Sequence, residues 1–212
     1  MASRVGLAGL LLTLACLLGA GDAAPAGSSS IYVVRGDPRL CPSPLCGGYF
    51  VALANGARTR CADGLRHPRC YVAIAVAAGG GALGTIPDGS LARAVLTAGR
   101  DDLGELRVSA VHPAAGSAAA SGRFFSVRDT GLRCVRAPCF SYGVARLNSA
   151  ARSRVSGVDL APAKASPDEI SRAQAALETT GLYARGRFVR GHAGGRTFRA
   201  TRLYLRAPLP RA

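Results

Sequence analysis

The chain has 212 residues, 49 % of them hydrophobic, and a formal net charge of +15. That apolar content suffices for a packed core and excludes a wholly disordered chain. With no Trp, one Met and an apolar count dominated by Ala and Val, any core is small, and Lys164 is the only lysine among 27 cations, so the charge either meets an acidic partner or forms a solvated arginine surface.

The first segment carries Arg4, an apolar run from Val5 to about Ala20 and a small, polar stretch through Ser30. This pattern reads as a secretory signal peptide over residues 1–26, with cleavage after Ala20, Ala23 or Ala26. The run is shorter than the ~20 residues a membrane span needs, so no span is expected after signal removal. Cys16 admits a minor lipoprotein reading, although Thr13 stands where a lipobox has Leu.

After the signal, Tyr32–Asn55 recurs without a gap as Phe125–Asn148. The two stretches share Val34/Val127, Arg35/Arg128, Cys41/Cys134, Cys46/Cys139, Tyr49/Tyr142, Val51/Val144, Ala52/Ala145 and Asn55/Asn148. Each reads as strand, C-x4-C loop, strand and turn, and a repeat of this kind favours binding or scaffolding over a single catalytic centre. Without Cys16 six cysteines remain, an even set that in an exported chain means disulfides. Spacing points to Cys41–Cys46, Cys61–Cys70 and Cys134–Cys139. A zinc site is the disfavoured rival, since only His67 lies near any cysteine.

In chain order, Ile31–Val34 is a strand, and Pro42 and Pro44 make Cys41–Cys46 a rigid exposed loop. Tyr49–Ala54 is a second strand, Asn55-Gly56 a hairpin-turn signal with a returning strand near Cys61, and Tyr71–Ala77 an apolar strand. Gly79–Gly81 and Gly84 form a flexible loop without the context of a phosphate site. A short helix is expected from Asp88 or Ser90 to Gly99, burying Leu91, Ala94 and Val95. Leu106–Val111 is a strand closing a first module over residues 31–112, and residues 113–122 read as a linker. The second module, residues 123–207, repeats the order through Phe125–Arg128, Tyr142–Leu147 and Val155–Leu160. Its helix opens on the capping box Ser166-Pro-Asp-Glu169 and stops at Gly181. Leu182–Arg190 and Arg196–Arg206, joined at His192–Gly195, form a terminal hairpin. The expected fold class is therefore α+β and β-rich: two tandem related modules of antiparallel strands with one short helix each, stapled by local disulfides.

The terminal hairpin is the candidate anion-binding surface, through Arg185, Arg187, Arg190, Arg196, Arg199 and Arg202, with Arg206 and Arg211 beyond. No acidic residue follows Glu178. Guanidinium forks suit phosphate, sulfate and carboxylate, and in an exported protein an anionic envelope polymer is a better partner than nucleic acid. No catalytic, metal or cofactor site is read. His67, His112 and His192 lack ligand spacing, no Ser sits in a nucleophile elbow, and the pairs Asp101–Asp102 and Asp168–Glu169 fall in a loop and at a helix start. The stapled loops offer Leu45 or Arg136 as contact residues for an extracellular protein, as in secreted protease inhibitors.

Tyr32–Arg35, Cys41–Phe50, Asn55, Thr59–Gly64 and Cys70–Ala73 resemble a family of exported bacterial proteins catalogued only as a domain of unknown function. Its Cys-Pro-x-Pro-x-Cys-Gly-Gly element stands here at Cys41–Gly48, and Cys134–Asn148, Ser166–Gly181 and Gly181–Leu205 look like its second half. The resemblance implies export and a shared fold and carries no activity. The expected function is that of an exported, secreted or periplasmic, non-enzymatic binding or structural protein; the alternative is a secreted inhibitor of an extracellular hydrolase.

Overall fold

Five strands, β1 (Ser30–Gly36), β2 (Tyr49–Leu53), β5 (Cys70–Ala77), β6 (Leu91–Ala98) and β7 (Gly104–His112), close into a barrel in the order β1-β2-β5-β7-β6. The computed structural model describes residues 28–99 and 103–212, so the signal segment, Cys16 and Asp101–Asp102 lie outside the described residues. All barrel pairings are antiparallel except β5 with β7. Alternation sends Tyr32, Val34, Val51, Val72, Leu106 and Val108 inward to form the core. Two-residue strands β3 (Thr59–Arg60) and β4 (Arg66–His67) pair only with each other, at the base of the Cys61–Cys70 loop.

The segment 91–98, expected as a helix, is the strand β6, and the first half has no α-helix among the described residues. Both presumed capping side chains are committed elsewhere: Asp88 Oδ1 accepts from the Gly36 amide at 3.0 Å, and the buried Ser90 hydroxyl donates to the Pro87 carbonyl at 2.6 Å. Ladders to β1 and β7 then occupy the backbone of β6 on both edges. Tertiary pairing overrides the modest helix propensity of Leu-Ala-Arg-Ala. Asn55-Gly56 also differs from expectation. It forms a turn, with the Gly56 amide on the Leu53 carbonyl at 2.9 Å, but no strand returns along β2 after it.

The second sheet contains β8 (Ala114–Ala115), β9 (Arg123–Asp129), β10 (Tyr142–Arg146), β11 (Arg152–Val155), β12 (Gly157–Asp159), β13 (Leu182–Arg190) and β14 (Arg196–Tyr204). Its order is β11-β10-β9-β13-β14-β12, with β8 on β14. The terminal hairpin β13–β14 stands as expected, and β12 runs parallel to β14. Only Ser156 separates β11 from β12, and its amide donates to the Arg196 carbonyl at 2.8 Å. Together these two strands run as β5 does, antiparallel to one neighbour and parallel to the other. The bulge between Arg93 and Ala94 in β6 likewise has its counterpart between Arg185 and Gly186 in β13.

Helix α1 (Pro167–Glu178) follows its capping box, with the Glu169 amide on the Ser166 hydroxyl and the Ser166 amide on the Glu169 carboxylate at 2.8 Å. Ala173 and Leu177 bury in the second core beside Phe125, Val127, Leu182, Phe198 and Leu203. The stretch 113–122 is bonded into this half. β8 pairs with β14, and the Ser117 and Ala118 amides donate to the Lys164 and Ala163 carbonyls. The chain end returns to the first barrel, where the Ala207 amide meets the Val111 carbonyl at 3.0 Å and Leu209 packs on its core.

A candidate anion site on the second sheet

On the outer face of β9, β10 and β11, cross-strand register aligns Arg128 with Gly143 and Gly143 with Arg154. The next row is Ser126, Ala145 and Arg152. Because the central strand contributes only Gly143 and Ala145, the arginines become walls of a trench of about 510 Å³. Two strand spacings put the wall backbones about 10 Å apart, wide enough for a chain bearing repeated anionic groups. Arg128, Arg152 and Arg154 are exposed, and none has an acidic partner among the described residues. An arginine-walled groove with a glycine floor lets phosphate, sulfate or carboxylate approach the forks and the backbone together.

The corresponding row in the first half is Arg35, Phe50 and Tyr71. There the rings of Phe50 and Tyr71 meet edge-on at 5.7 Å. Arg39 lies 4.9 Å from the Tyr71 ring centre, and Arg69 lies 4.7 Å from that of Phe50. Where one half stacks its cations on aromatics, the other leaves a glycine floor and a further arginine. The Arg128 match and the alternation of Arg152-Ser-Arg154 were visible signals, but only strand pairing shows that Gly143 lies between them.

The six hairpin arginines do not form one surface. They oppose one another in three cross-strand pairs, Arg185 with Arg202, Arg187 with Arg199 and Arg190 with Arg196. Like charges so placed are unfavourable unless partners intervene. Arg185 donates to the Gly122 carbonyl at 3.0 Å and lies over Phe124, and Arg202 donates to the Gly116 and Ala118 carbonyls. Arg199 pairs with Asp159 at 3.1 Å. Arg196 stacks on Phe188, 4.3 Å from the ring centre, and shares the inward-facing row of Phe188 and Phe198 with Arg190. Arg187 and Arg190 are exposed. Four of the six thus have local partners, while the trench arginines have none of this kind among the described residues.

Three disulfides join Cys41–Cys46, Cys61–Cys70 and Cys134–Cys139. Both C-x4-C loops open on an acid–arginine clasp, Asp37 with Arg39 at 2.9 Å and Asp129 with Arg133 at 2.8 Å. Hydrogen bonds from those arginines hold both carboxyls below the usual range. Leu45 and Val135 remain exposed on the loops. His112 stacks on Tyr183 with centroids 4.5 Å apart, and desolvation, aided by the charges of Arg206 and Arg93, lowers its pKa to about 4. His67 pairs with Asp63 at 3.4 Å, and His192 is exposed. The described residues contain no cluster of three or more His, Cys, Asp and Glu poised for a metal ion, and no helix among them is long and apolar enough to cross a membrane.

No curated protein and no solved structure matches the chain. A family profile described as a domain of unknown function, DUF6748, matches residues 30–209. With most of its length covered, from the start of β1 into the terminal tail, the chain belongs to the DUF6748 family.

Proposed function

We propose that this is an exported, non-enzymatic binding protein built from two copies of one module, and that the second copy holds an anionic polymer of the cell envelope. The observation that carries this reading is the exchange across equivalent register positions, Phe50 and Tyr71 in one half against Gly143 and Arg154 in the other. That exchange removes a bulky floor and adds a cation while leaving the strands paired, so it alters a surface at little cost to the fold. The first copy is the rigid partner. Its outer face is filled by stacked rings, and its loop is held by Arg39 on the Leu45 carbonyl and Tyr71 on the Pro44 carbonyl. Exposed arginines around a trench give salt-sensitive attachment, since guanidinium–anion contacts at a surface are screened over about 8 Å at physiological ionic strength. Retention of the oxidised protein on immobilised heparin tests the reading. The Arg128→Ser/Arg152→Ser/Arg154→Ser variant elutes at clearly lower salt, and unchanged elution would remove the trench from the account.

The fully exposed Val135 at the tip of a stapled loop favours a second reading, inhibition of an extracellular hydrolase through that loop. A panel of secreted proteases and glycosidases, none slowed by the purified protein, would eliminate it.

A further inference from the structure

The barrel and the second sheet end differently beside Thr59 and Ala151. In the first, Tyr32, Leu53 and Leu96 pack with Cys61 and Cys70 in the core. The buried Thr59 hydroxyl accepts from the Leu53 amide at 2.8 Å, so the Cys61–Cys70 loop plugs this end. Register places Phe125, Arg146, Ser153 and Phe188 where the first half has Tyr32, Leu53, Cys70 and Leu96. The second half has no such loop, only the short turn from Asn148 to Ala151. What remains is a cavity of about 460 Å³ lined by Phe125, Val144 and Phe188, with Arg123, Arg146 and Arg187 also bordering it.

The cavity has the size of a small-molecule site, with an apolar wall and a few convergent polar groups. Arg146 follows the inward-facing row of Val144, and its Nη2 reaches the Asn55 carbonyl at 3.5 Å. Its Nε–H is buried with no hydrogen-bond partner among the described residues, a cost to the fold where Arg146 borders the cavity. No acidic residue lines the cavity. We infer that this open end of the second sheet binds an amphipathic anion, a medium-chain carboxylate, with its apolar chain against Phe125, Val144 and Phe188 and its head group on Arg146 and Arg123. This site shares Val144 and Ser153 with the trench lining but holds its ligand by other side chains, and it does not depend on the polymer reading.

Calorimetric titration of the oxidised protein with decanoate below its micellar range tests the inference, with decyltrimethylammonium as the cationic control. One decanoate binds per chain and the cation does not. Arg146→Met and Arg123→Met each weaken decanoate by about tenfold, the loss of a charge-assisted contact. Ser153→Phe, which fills the open end as the first half does, abolishes binding, and Gly143→Phe in the trench leaves it unchanged. Should Ser153→Phe or Arg146→Met fail to fold, the exposed Arg123→Met carries the test. Absence of decanoate binding, equal binding of the cation, or full affinity in Arg123→Met would overturn the inference. Loss of binding in Gly143→Phe with none in Arg123→Met would also overturn it and would put the anion in the trench.

Discussion

Asn55 and Asn148 hold the two halves together by the same set of bonds made in opposite directions. The Asn55 carboxamide donates to the Phe124 carbonyl at 2.7 Å and the Leu147 carbonyl at 3.2 Å, and accepts from the Phe124 amide at 2.9 Å. Asn148 donates to the Ile31 carbonyl at 2.7 Å and the Ala54 carbonyl at 2.9 Å, and accepts from the Ile31 amide at 2.9 Å. Ile31 corresponds to Phe124 and Ala54 to Leu147, so the contact has local two-fold character. Both asparagines adopt positive φ, 66° and 53°, a conformation Asn tolerates better than most residues. Ile31, Ala54, Leu91, Leu147 and Tyr204 form a shared apolar cluster beneath the clasp.

Replacing either asparagine by Ala should therefore destabilise the whole chain by about 2–3 kcal/mol, because orphaned backbone groups and a strained φ add to the lost bonds. Urea unfolding of the oxidised protein reads this. Unchanged midpoints in Asn55→Ala and Asn148→Ala would show that the clasp contributes nothing.

The staples differ in what they hold. Cys70 is buried in the first core, whereas Cys134 is exposed. Removing Cys61–Cys70 by double substitution to Ala should cost about 3 kcal/mol from loop closure plus lost packing, and removing Cys134–Cys139 about 2 kcal/mol. Thermal unfolding of the two variants ranks them, and the reverse order would contradict the plug described for the first barrel.

His112 predicts acid sensitivity at the junction. Its folded pKa, about 4, lies below its unfolded value near 6.5, so the unfolded chain binds the extra proton first. The stability tied to the neutral ring is complete above about pH 6.5 and is lost as pH falls toward 4, by about 2 kcal/mol after allowing for screening at a partly exposed site. His112→Phe keeps the stacking on Tyr183, and its unfolding midpoint should fall less between pH 7 and 4.5. An equal fall in both proteins would show that other groups govern the acid response.

Gly143→Phe puts on the trench floor the residue type that stands at Phe50 in the first half. A Cβ there meets only Thr130 Cγ2, at 3.4 Å, and the Arg128 carbonyl at 4.0 Å, so the strand should accept it. Polymer retention should drop with the unfolding free energy changed by less than about 1 kcal/mol. Gly48→Ala, by contrast, drives a Cβ into the Val72 carbonyl and should destabilise without touching the trench. Retention unaffected by Gly143→Phe would contradict the proposed site.

Local chemistry was readable where it decides structure locally. The Ser166 capping box, the C-x4-C staples and the β13–β14 hairpin follow from residues close in sequence. The strand at 91–98 was hidden because pairing with β1 and β7 outweighs its helical composition. Asn55 showed itself as a turn residue matched to Asn148 but not as a clasp, since its partners Phe124 and Leu147 lie far along the chain. Counting arginines pointed to the second half but to the wrong density of free charge. Arg199 and Arg202 are committed to Asp159 and to backbone carbonyls, while Arg128 and Arg154 converge only through the register of β10.

The most direct test of the proposed anion site is residue-resolved. Titrating the oxidised, isotope-labelled protein with a defined polyphosphate at low salt should shift the amide resonances of Gly143 and Ala145 and the Nε signals of Arg128, Arg152 and Arg154, with little change at Phe50 and Tyr71. Shifts confined to the first half, or to Arg187 and Arg190 with Gly143 unmoved, would contradict it.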